Sequence, residues 1–352
     1  MGTCLQRQTQ LLEWTAMPEV PGLVFRRFRG EADYGNILAI ISASKLADQV
    51  ERADTLEDIA RNYSHLVNCD PYRDMIFAEV RGEAVGYARS MWSQETRPEN
   101  WVYSHFGFLK PEWRRKGIGR AMLHFCQRRL RVTAAGQMGR GERSLGTPAI
   151  FRSWAEDTEI DTSALLEAEG YQPARWFYQM VRPNLEAIPD LKLPAGVEIR
   201  PVDWDSHKKQ IFTAEQEALQ DHWGHTEPTE ADYQAWLASV EEDENVDTAL
   251  WRVAWQGDQV VGMVRSFIHA QENQEYERRR GYTEFISVRR PWRRQGVARV
   301  LIADSLRGLK ALGMQEAALG VDTENPSGAL RLYEFMGFRP VKKETVYQKP
   351  LG

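Results

Sequence analysis

The sequence predicts a mixed α/β protein built from two tandem copies of one fold, in which helices flank a largely antiparallel sheet. An internal repeat keeps its features in the same order in both halves, and a proline-bearing stretch lies between them. The 352 residues also exceed the usual size of a single hydrophobic core, whereas half that length suits one domain. We expect an N-terminal domain over 20–182, a linker over 183–195 and a C-terminal domain over 196–352.

The repeat centres on a Trp-Arg-Arg segment that occurs in each half. Residues 113–120 read WRRKGIGR, and residues 292–299 read WRRQGVAR. A glycine and an aromatic residue follow each copy, as Gly170-Tyr171 and as Gly337-Phe338. Because these features keep their order while their spacing drifts, we interpret them as a diverged duplication.

The same elements are expected in the same order in both halves. Hydrophobic alternation predicts strands over 23–28, 75–80, 84–92, 101–109 and 149–154, and again over 197–201, 249–255, 259–268, 282–288 and 316–321. Helical regions are expected over 34–67 and 206–240, and an amphipathic helix follows each Trp-Arg-Arg segment. A strand on either side of that last helix requires that the fourth and fifth strands of each half pair in parallel, joined by a right-handed crossover.

Composition excludes several classes of partner. The chain has 45 Lys and Arg against 50 Asp and Glu, and neither half is basic, so we expect no nucleic acid partner. The longest apolar run, near 37–41, is too short to span a bilayer, and we expect no membrane association. Cys4, Cys69 and Cys126 are scattered and lack metal-ligand spacing, which favours reduced thiols in the cytoplasm and no metal.

The Trp-Arg-Arg segment predicts an anion site at the start of the helix that it opens. A first helical turn presents unpaired N–H groups and the positive end of the helix dipole. Gly117 and Gly296 allow a phosphate to approach closely, and Gly119 and Ala298 keep the first turn open. Neither copy has the glycine pattern of a nucleotide-hydrolysing loop or of a dinucleotide fold, so neither function is indicated.

Both copies resemble the GNAT superfamily of acetyl-CoA-dependent N-acetyltransferases, in which Arg/Gln-x-x-Gly-x-Gly/Ala follows the fourth strand. The second copy matches more fully, because residues 325–338 read NPSGALRLYEFMGF, similar to the family pattern Asn-x-x-x-Ala-x-x-x-Tyr-x-x-x-Gly-Phe. Together the copies cover the chain from about Leu23 to Gln348. A tandem arrangement of this length is similar to double-domain members of the mycothiol synthase type.

The resemblance implies that acetyl-CoA is the co-substrate, with its pyrophosphate on the turn and its pantetheine and thioester on the edge of the fourth strand. In the second half the residues expected there are Ile286, Ser287, Val288, Arg293, Arg294, Gln295, Gly296, Val297, Ala298 and Asn325. In the first half they are Leu109, Arg114, Arg115, Lys116, Gly117, Ile118 and Gly119.

Two residues of the second half are candidates for the chemistry. Tyr333 lies four residues before Gly337, where the resemblance implies the acid that protonates the departing thiolate; a core aromatic is the alternative. Glu284 lies four residues before Val288, so unbroken strand alternation predicts that it shares a face with Ile286 and Val288 and can act as the base. An exposed strand carboxylate is its alternative, and a turn-capping role is the alternative for Asn325.

The first half departs from the pattern at both catalytic positions. His105 stands opposite Glu284 and Leu166 stands where the acid belongs, and a hydrogen-bonded structural histidine is an alternative to a base at His105. We therefore expect catalysis in the second half and a retained coenzyme site, with catalysis lost or weakened, in the first.

Three functions remain open from the sequence. The first is N-acetylation of an amine on a small molecule or peptide by direct attack. The second is acetylation of a cysteinyl-sugar amine as in mycothiol synthase, and the third is non-catalytic binding or sensing of acyl-CoA. We expect the acceptor near 68–72 and 221–225, and a monomer or a homodimer.

Overall fold

A computed structural model describes residues 18–144 and 146–352. Cys4 lies outside this part of the chain. The strands are β1 (Leu23–Arg26), β2 (Met75–Val80), β3 (Glu83–Thr96), β4 (Glu99–Leu109), β5 (Ala149–Glu156), β6 (Gln172–Arg182), β7 (Glu198–Arg200), β8 (Arg252–Gln256), β9 (Gln259–Phe267), β10 (Arg280–Val288), β11 (Glu316–Asp322) and β12 (Arg339–Pro350). The helices are α1 (Tyr34–Asp48), α2 (Leu56–Ser64), α3 (Pro71–Asp74), α4 (Ile118–Gly139), α5 (Ile160–Ala168), α6 (Trp204–Leu219), α7 (Glu230–Glu241), α8 (Ala270–Glu275), α9 (Val297–Ala311) and α10 (Ala329–Phe335).

The predicted fold class is confirmed. β4 pairs in parallel with β5 and β10 with β11, while the other ladders are antiparallel, so each half is a mixed sheet with a crossover helix, α4 or α9. The helical region expected over 34–67 is two helices, because Thr55 and Asp58 form a capping box that begins α2. The region 206–240 divides in the same way, with Thr229 capping α7.

The two halves exchange their last strands. The sheet has twelve strands in the order β1-β2-β3-β4-β5-β12-β6-β11-β10-β9-β8-β7. β12, the last strand of the chain, lies between β5 and β6, with Val346 opposite Trp154, and β6 of the first half pairs with β11, with Met180 opposite Leu319. The expected division at 183–195 follows the repeats along the chain, but the hydrogen-bonded sheet crosses it.

The stretch 183–195 packs on the second half. Leu185 is buried in the core that α9 forms with β9–β11, and Ile188 packs against the same cluster. Arg182 donates hydrogen bonds to the carbonyl oxygens of Asn184 and Ala187. The connection between the repeats is therefore part of the second-half structure.

A loop of each half also docks on the other. The Thr96 N–H at the tip of the β3–β4 hairpin donates to the His225 carbonyl at 2.8 Å, between α6 and α7. Reciprocally, the Arg52 N–H between α1 and α2 donates to the Tyr276 hydroxyl at 3.2 Å, just after α8. Among the described residues, no helix combines the length and apolar character needed to cross a bilayer.

Candidate active site

A gap between β10 and β11 positions the site. The two strands pair over Arg280–Tyr282 and then separate. On the other side of β10, the register with β9 shifts between Glu284 and Ser287, and Phe285 has a left-handed φ of 50°. This bulge places two residues of β10 opposite one of β9 and bends the end of β10. The backbone edge between Glu284 and Val288 is thereby left free of β11.

The gap opens into a cavity of about 1050 Å³. Four segments of the second half line it, namely the end of α6 with the loop after it, the end of β10, the start of α9 and the loop that leads into α10. The predicted coenzyme residues that line it are Ile286, Ser287, Val288, Arg293, Arg294, Gly296, Val297, Ala298 and Asn325, and Tyr333 lines it as well. The structure thus brings most of the second-half candidates to one surface.

The start of α9 has the features of an anion site. Gly296 has a φ of 87°, and a Cβ atom built on it would meet nothing within 4 Å. The first helical hydrogen bond at this end runs from the Val300 N–H to the Gly296 carbonyl, so the N–H groups of Val297 and Ala298 have no acceptor within the helix. Ser287 also lines the cavity, and its buried hydroxyl has no hydrogen-bond partner. The free N–H groups suit an anion, and the Ser287 hydroxyl suits a polar group elsewhere on the same ligand.

The first arginine of each turn holds the turn in place. The Arg293 guanidinium donates to the Val288 carbonyl at 2.9 Å and contacts Asp221 at 2.7 Å. Arg114 repeats this arrangement, donating to the Leu109 carbonyl at 3.2 Å and to Asp48 at 2.5 Å. Their role in binding an anion stays a prediction, and the structure adds a supporting role for both side chains.

Three predicted coenzyme residues have side chains in other roles. Gln295 donates to the Pro291 carbonyl, and the Lys116 ammonium lies 4.6 Å from the centre of the Trp113 ring. The Asn325 side-chain oxygen accepts the Ser327 N–H at 2.9 Å, which is the turn-capping alternative, although Asn325 also lines the cavity. The contacts of Gln295, Lys116 and Asn325 with the coenzyme stay predictions.

Glu284 lies in the gap itself. Its Oε1 accepts the Gly320 N–H of β11 at 2.8 Å, a donor that the separation of the two strands leaves without a β10 partner. Burial raises the pKa of Glu284 to about 7, against smaller opposite effects of the Gly320 N–H and of Arg265. A carboxyl group with this pKa exchanges a proton near neutral pH, which suits a general base.

The prediction that Glu284 shares a strand face with Ile286 and Val288 is wrong. Glu284 pairs with Arg265, whose side chain contacts Glu215 of α6, whereas Ile286 and Val288 pack against the core beneath α9. The bulge inserts one residue between these positions and reverses the alternation.

Tyr333 lies on α10 beside the same gap and is 6% exposed. Burial, with a smaller contribution from the negative charge of Glu284, raises its pKa, so the phenol is protonated at neutral pH. Its ring also packs edge-on against Phe338 at 6.4 Å. Tyr333 therefore combines the core packing of the alternative interpretation with a protonated side chain that lines the cavity.

Arg265 is a neighbour of the site that the sequence did not indicate. Its guanidinium lies 3.1 Å from the Glu215 carboxylate and 3.7 Å from the centre of the Phe285 ring. Arg265 thus contacts the bulge residue and lowers the pKa of Glu284 across the strand pair. One arginine within an apolar strand carries no recognisable motif, which is why pattern reasoning passed over it.

The first half has a smaller cavity, of about 410 Å³, at the corresponding place. Here β4 pairs with β3 without a register shift from Leu109 to Glu99, so it lacks the bulge of β10. Asp161 of α5 lines the cavity and pairs with Arg115 at 3.1 Å. A Cβ atom on Gly119 would lie 3.5 Å from Leu165, so α5 packs close to the turn.

His105 is a hydrogen-bonded core residue in this half. Its Nε2 lies 2.6 Å from the Tyr171 hydroxyl, which also accepts from Gln127. Burial lowers the pKa of His105 to about 4. Leu166, at the place of the acid, is buried and lines the cavity. This arrangement agrees with the structural alternative for His105.

Comparison with known protein families agrees with the two repeats. A model of the acetyltransferase (GNAT) family matches residues 208–338, and a model of the acetyltransferase (GNAT) domain matches residues 71–179. The chain belongs to the GNAT superfamily. It is a tandem GNAT protein and an acetyl-CoA-dependent N-acetyltransferase by its family. Within the described residues, no group of three or more His, Cys, Asp or Glu is placed to hold a metal ion.

Relatives of known type are similar along most of this GNAT chain. A mycothiol acetyltransferase of Thermomonospora curvata is 26% identical over 310 residues, which cover 87% of this chain and 92% of the relative. One of Salinispora arenicola is 28% identical over 246 residues, covering 68% of this chain and 71% of the relative.

Solved structures confirm the tandem GNAT fold. A GCN5-related N-acetyltransferase from Sphaerobacter thermophilus has a TM-score of 0.69 at 22% identity, covering 96% of this chain and 97% of the other. A tandem GNAT protein from the clavulanic acid biosynthesis pathway has a TM-score of 0.64 at 14% identity, covering 94% and 99%.

Proposed function

We propose that the second half of this GNAT protein transfers an acetyl group from acetyl-CoA to an amine by direct attack, with Glu284 as the base and Tyr333 as the acid. One observation carries the proposal. A carboxyl group with a pKa of about 7 lies in the gap, near enough to Tyr333 for its charge to raise the pKa of this protonated tyrosine, and Tyr333 lines the cavity beside a helix start that suits an anion. General acid–base catalysis of acyl transfer needs such a pair.

The coenzyme supplies an acetyl group activated as a thioester. The Glu284 carboxylate accepts a proton from the acceptor nitrogen, so that a neutral amine forms the new N–C bond. The Tyr333 hydroxyl gives its proton to the sulfur as the C–S bond breaks, and the proton that the nitrogen loses on becoming an amide restores the Tyr333 hydroxyl. Desolvation of both side chains raises their pKa values, which matches their protonation states to these tasks near neutral pH.

For the coenzyme we propose the start of α9 and the free edge of β10. The N–H groups of Val297 and Ala298 and the open space at Gly296 suit the pyrophosphate. The unpartnered hydroxyl of Ser287 and the backbone of Ile286 and Val288 suit the polar groups of the pantetheine arm.

The first half, in this proposal, keeps a smaller coenzyme site and lacks catalysis. The combination of His105 bonded to Tyr171, Leu166 at the acid position and an unbulged β4 supports the loss of chemistry. Calorimetric titration with coenzyme A tests the retained site. Two sites of different affinity are expected, and a single site at millimolar ligand would show that the first half no longer binds.

A cysteinyl-sugar amine is the second candidate acceptor. Its support is the similarity to mycothiol acetyltransferases over 87% of this chain. The acceptor loop predicted over 221–225 meets the cavity at His222, next to Trp223, whose ring centre lies 4.2 Å from the Arg152 guanidinium. Rates with a cysteinyl-sugar amine and with simple amines and peptides compare the candidates directly.

Release of free thiol from acetyl-CoA in the presence of an amine panel tests catalysis itself. We expect Tyr333→Phe to lower kcat by about 100-fold, in the usual range for the loss of a general acid. Tyr171→Phe, in the first half, is the matched control and should leave kcat unchanged. Wild-type protein that binds coenzyme A but turns over no amine would favour the acyl-CoA-sensing alternative, and full activity of Tyr333→Phe would remove Tyr333 as the acid.

A further inference from the structure

The rim of the second-half cavity includes a segment of the first half. The tip of the β3–β4 hairpin is held on the α6–α7 loop by three hydrogen bonds. The N–H and hydroxyl of Thr96 both donate to the His225 carbonyl, at 2.8 and 3.2 Å, and the Gly224 N–H donates to the Arg97 carbonyl at 3.1 Å. This anchoring places Arg97 among the residues that line the cavity.

Three guanidinium groups surround one carboxylate at this rim. Asp221 contacts Arg290 at 2.5 Å, Arg293 at 2.7 Å and Arg97 at 3.4 Å. Hydrogen bonds from Arg290 and Arg293 hold the pKa of Asp221 far below its usual range, so it stays ionised. One negative charge against three positive charges leaves an excess of two positive charges beside the start of α9, whose dipole adds to them.

Of these three arginines, Arg97 makes the fewest hydrogen bonds through its side chain. Arg293 also donates to the carbonyls of Val288 and Ala218, and Arg290 binds Asp221 through two nitrogens. Arg97 makes one long contact, and its side chain is 56% exposed, against 29% for Arg293. A guanidinium carries five N–H donors, so most of those on Arg97 remain available.

We propose that Arg97 of the first half binds a phosphate group of the coenzyme in the second-half cavity. This inference rests on the proposed function. The second-half site is then complete only with a residue that the first half supplies through the docked hairpin. The first-half cavity is built differently, since its described lining residues all fall within 44–168.

Coenzyme A offers a pyrophosphate and a 3′-phosphate, and calorimetry can separate them. The full chain and its Arg97→Ala variant are titrated with coenzyme A and with 3′-dephospho-coenzyme A. We expect Arg97→Ala to weaken binding of coenzyme A at the second-half site by about tenfold, as for the loss of one charge-assisted hydrogen bond. The loss should shrink at high salt, because an exposed charge is screened.

The two ligands assign the phosphate. If removal of the 3′-phosphate weakens ligand binding by the wild type but not by Arg97→Ala, Arg97 binds the 3′-phosphate. If the loss of affinity from Arg97→Ala adds to the loss from removal of the 3′-phosphate, Arg97 binds the pyrophosphate. Arg140→Ala is the matched control, because Arg140 is an exposed first-half arginine that pairs with Glu142 away from both cavities. This variant should bind as the wild type does.

Steady-state kinetics give a second measurement. The KM for acetyl-CoA should rise in Arg97→Ala while kcat stays close to the wild-type value. Unchanged affinity of Arg97→Ala for coenzyme A, or a rise in the acceptor KM alone, would overturn the inference. Failure of the wild type to bind coenzyme A would instead overturn the proposed function, so the two failures are distinguishable. Arg97→Gln, which removes the charge but keeps a polar side chain that is longer than alanine, guards against a folding defect in the alanine variant.

Discussion

Replacement of Glu284 by Gln should lower the activity at pH 8 and raise the stability of the folded protein at the same pH. The pKa of Glu284 is raised from 4.5 to about 7, mainly by burial. In the proposed mechanism the ionised form is active, so kcat/KM of the wild type should fall about tenfold per pH unit below 7. We call this fall the acidic limb of the pH profile. In Glu284→Gln the acidic limb should disappear, and kcat/KM at pH 8 should be about 100-fold lower than in the wild type.

The same pKa predicts the sign of the effect on stability. A carboxyl group whose folded pKa lies above its unfolded pKa binds its proton more tightly in the folded state, so the free energy of unfolding falls as pH rises from 4.5 through 7. At about 1.4 kcal/mol per pKa unit, the cost above pH 7 is about 3 kcal/mol. Glutamine can still accept the Gly320 N–H without this cost, so the variant should be more stable than the wild type at pH 8 and similar at pH 4.

Glu344 provides a matched control. Burial, together with the charges of Glu156 and Glu159, also raises its pKa to about 7, and it lies on β12 outside the described lining of either cavity. Glu344→Gln should show the same pH-dependent gain in stability while keeping the wild-type activity profile. Urea unfolding at pH 4 and 8 gives the stabilities, and thiol release between pH 5 and 9 gives the profiles.

The acceptor amine also titrates, so two amines of different basicity are needed. A limb near pH 7 that is the same for both amines belongs to the enzyme. A Glu284→Gln variant that keeps this limb would refute Glu284 as the base. A variant that is less stable than the wild type at pH 8 would refute the claim that ionised Glu284 destabilises the folded protein.

Three further predictions follow from the packing. Arg265→Met removes the positive charge opposite Glu284 and the contact with Phe285, so the limb near pH 7 should move to higher pH; an unmoved limb would contradict the electrostatic role of Arg265. A Cβ atom at Gly296 would meet open space, but the φ of 87° disfavours alanine, so Gly296→Ala should cost about 1 kcal/mol of stability and raise the KM for acetyl-CoA. Gly117→Ala should leave this KM unchanged, because catalysis is proposed for the second half; a rise in the KM would contradict that assignment. A protease site inserted after Asp190 should yield fragments that co-elute in size exclusion, because β12 stays hydrogen-bonded between β5 and β6; separation of the fragments would contradict the exchange.

Much of the fold and part of the site could be predicted because their signals are local in the chain. The order of strand, helix and strand around each Trp-Arg-Arg segment predicted a parallel pair of strands joined by a crossover helix, and the pairs β4-β5 and β10-β11 confirm it. The glycines and arginines after each fourth strand predicted the turn at the start of α4 and α9. The face of Glu284 could not be predicted, because one inserted residue near Phe285 reverses strand alternation without a sequence signal of its own.

The sequence by itself determined the family, the duplication, the turns that we expect to bind an anion, and the residues Glu284 and Tyr333 as candidates for the chemistry. These depend on residue type and on spacing within one helix or one strand, which the local chain encodes. The exchange of β6 and β12, the position of Arg97 at the second-half cavity and the burial that raises the pKa of Glu284 were decided by the tertiary structure. Each depends on which distant segments meet, and backbone hydrogen bonds between strands do not specify their partners.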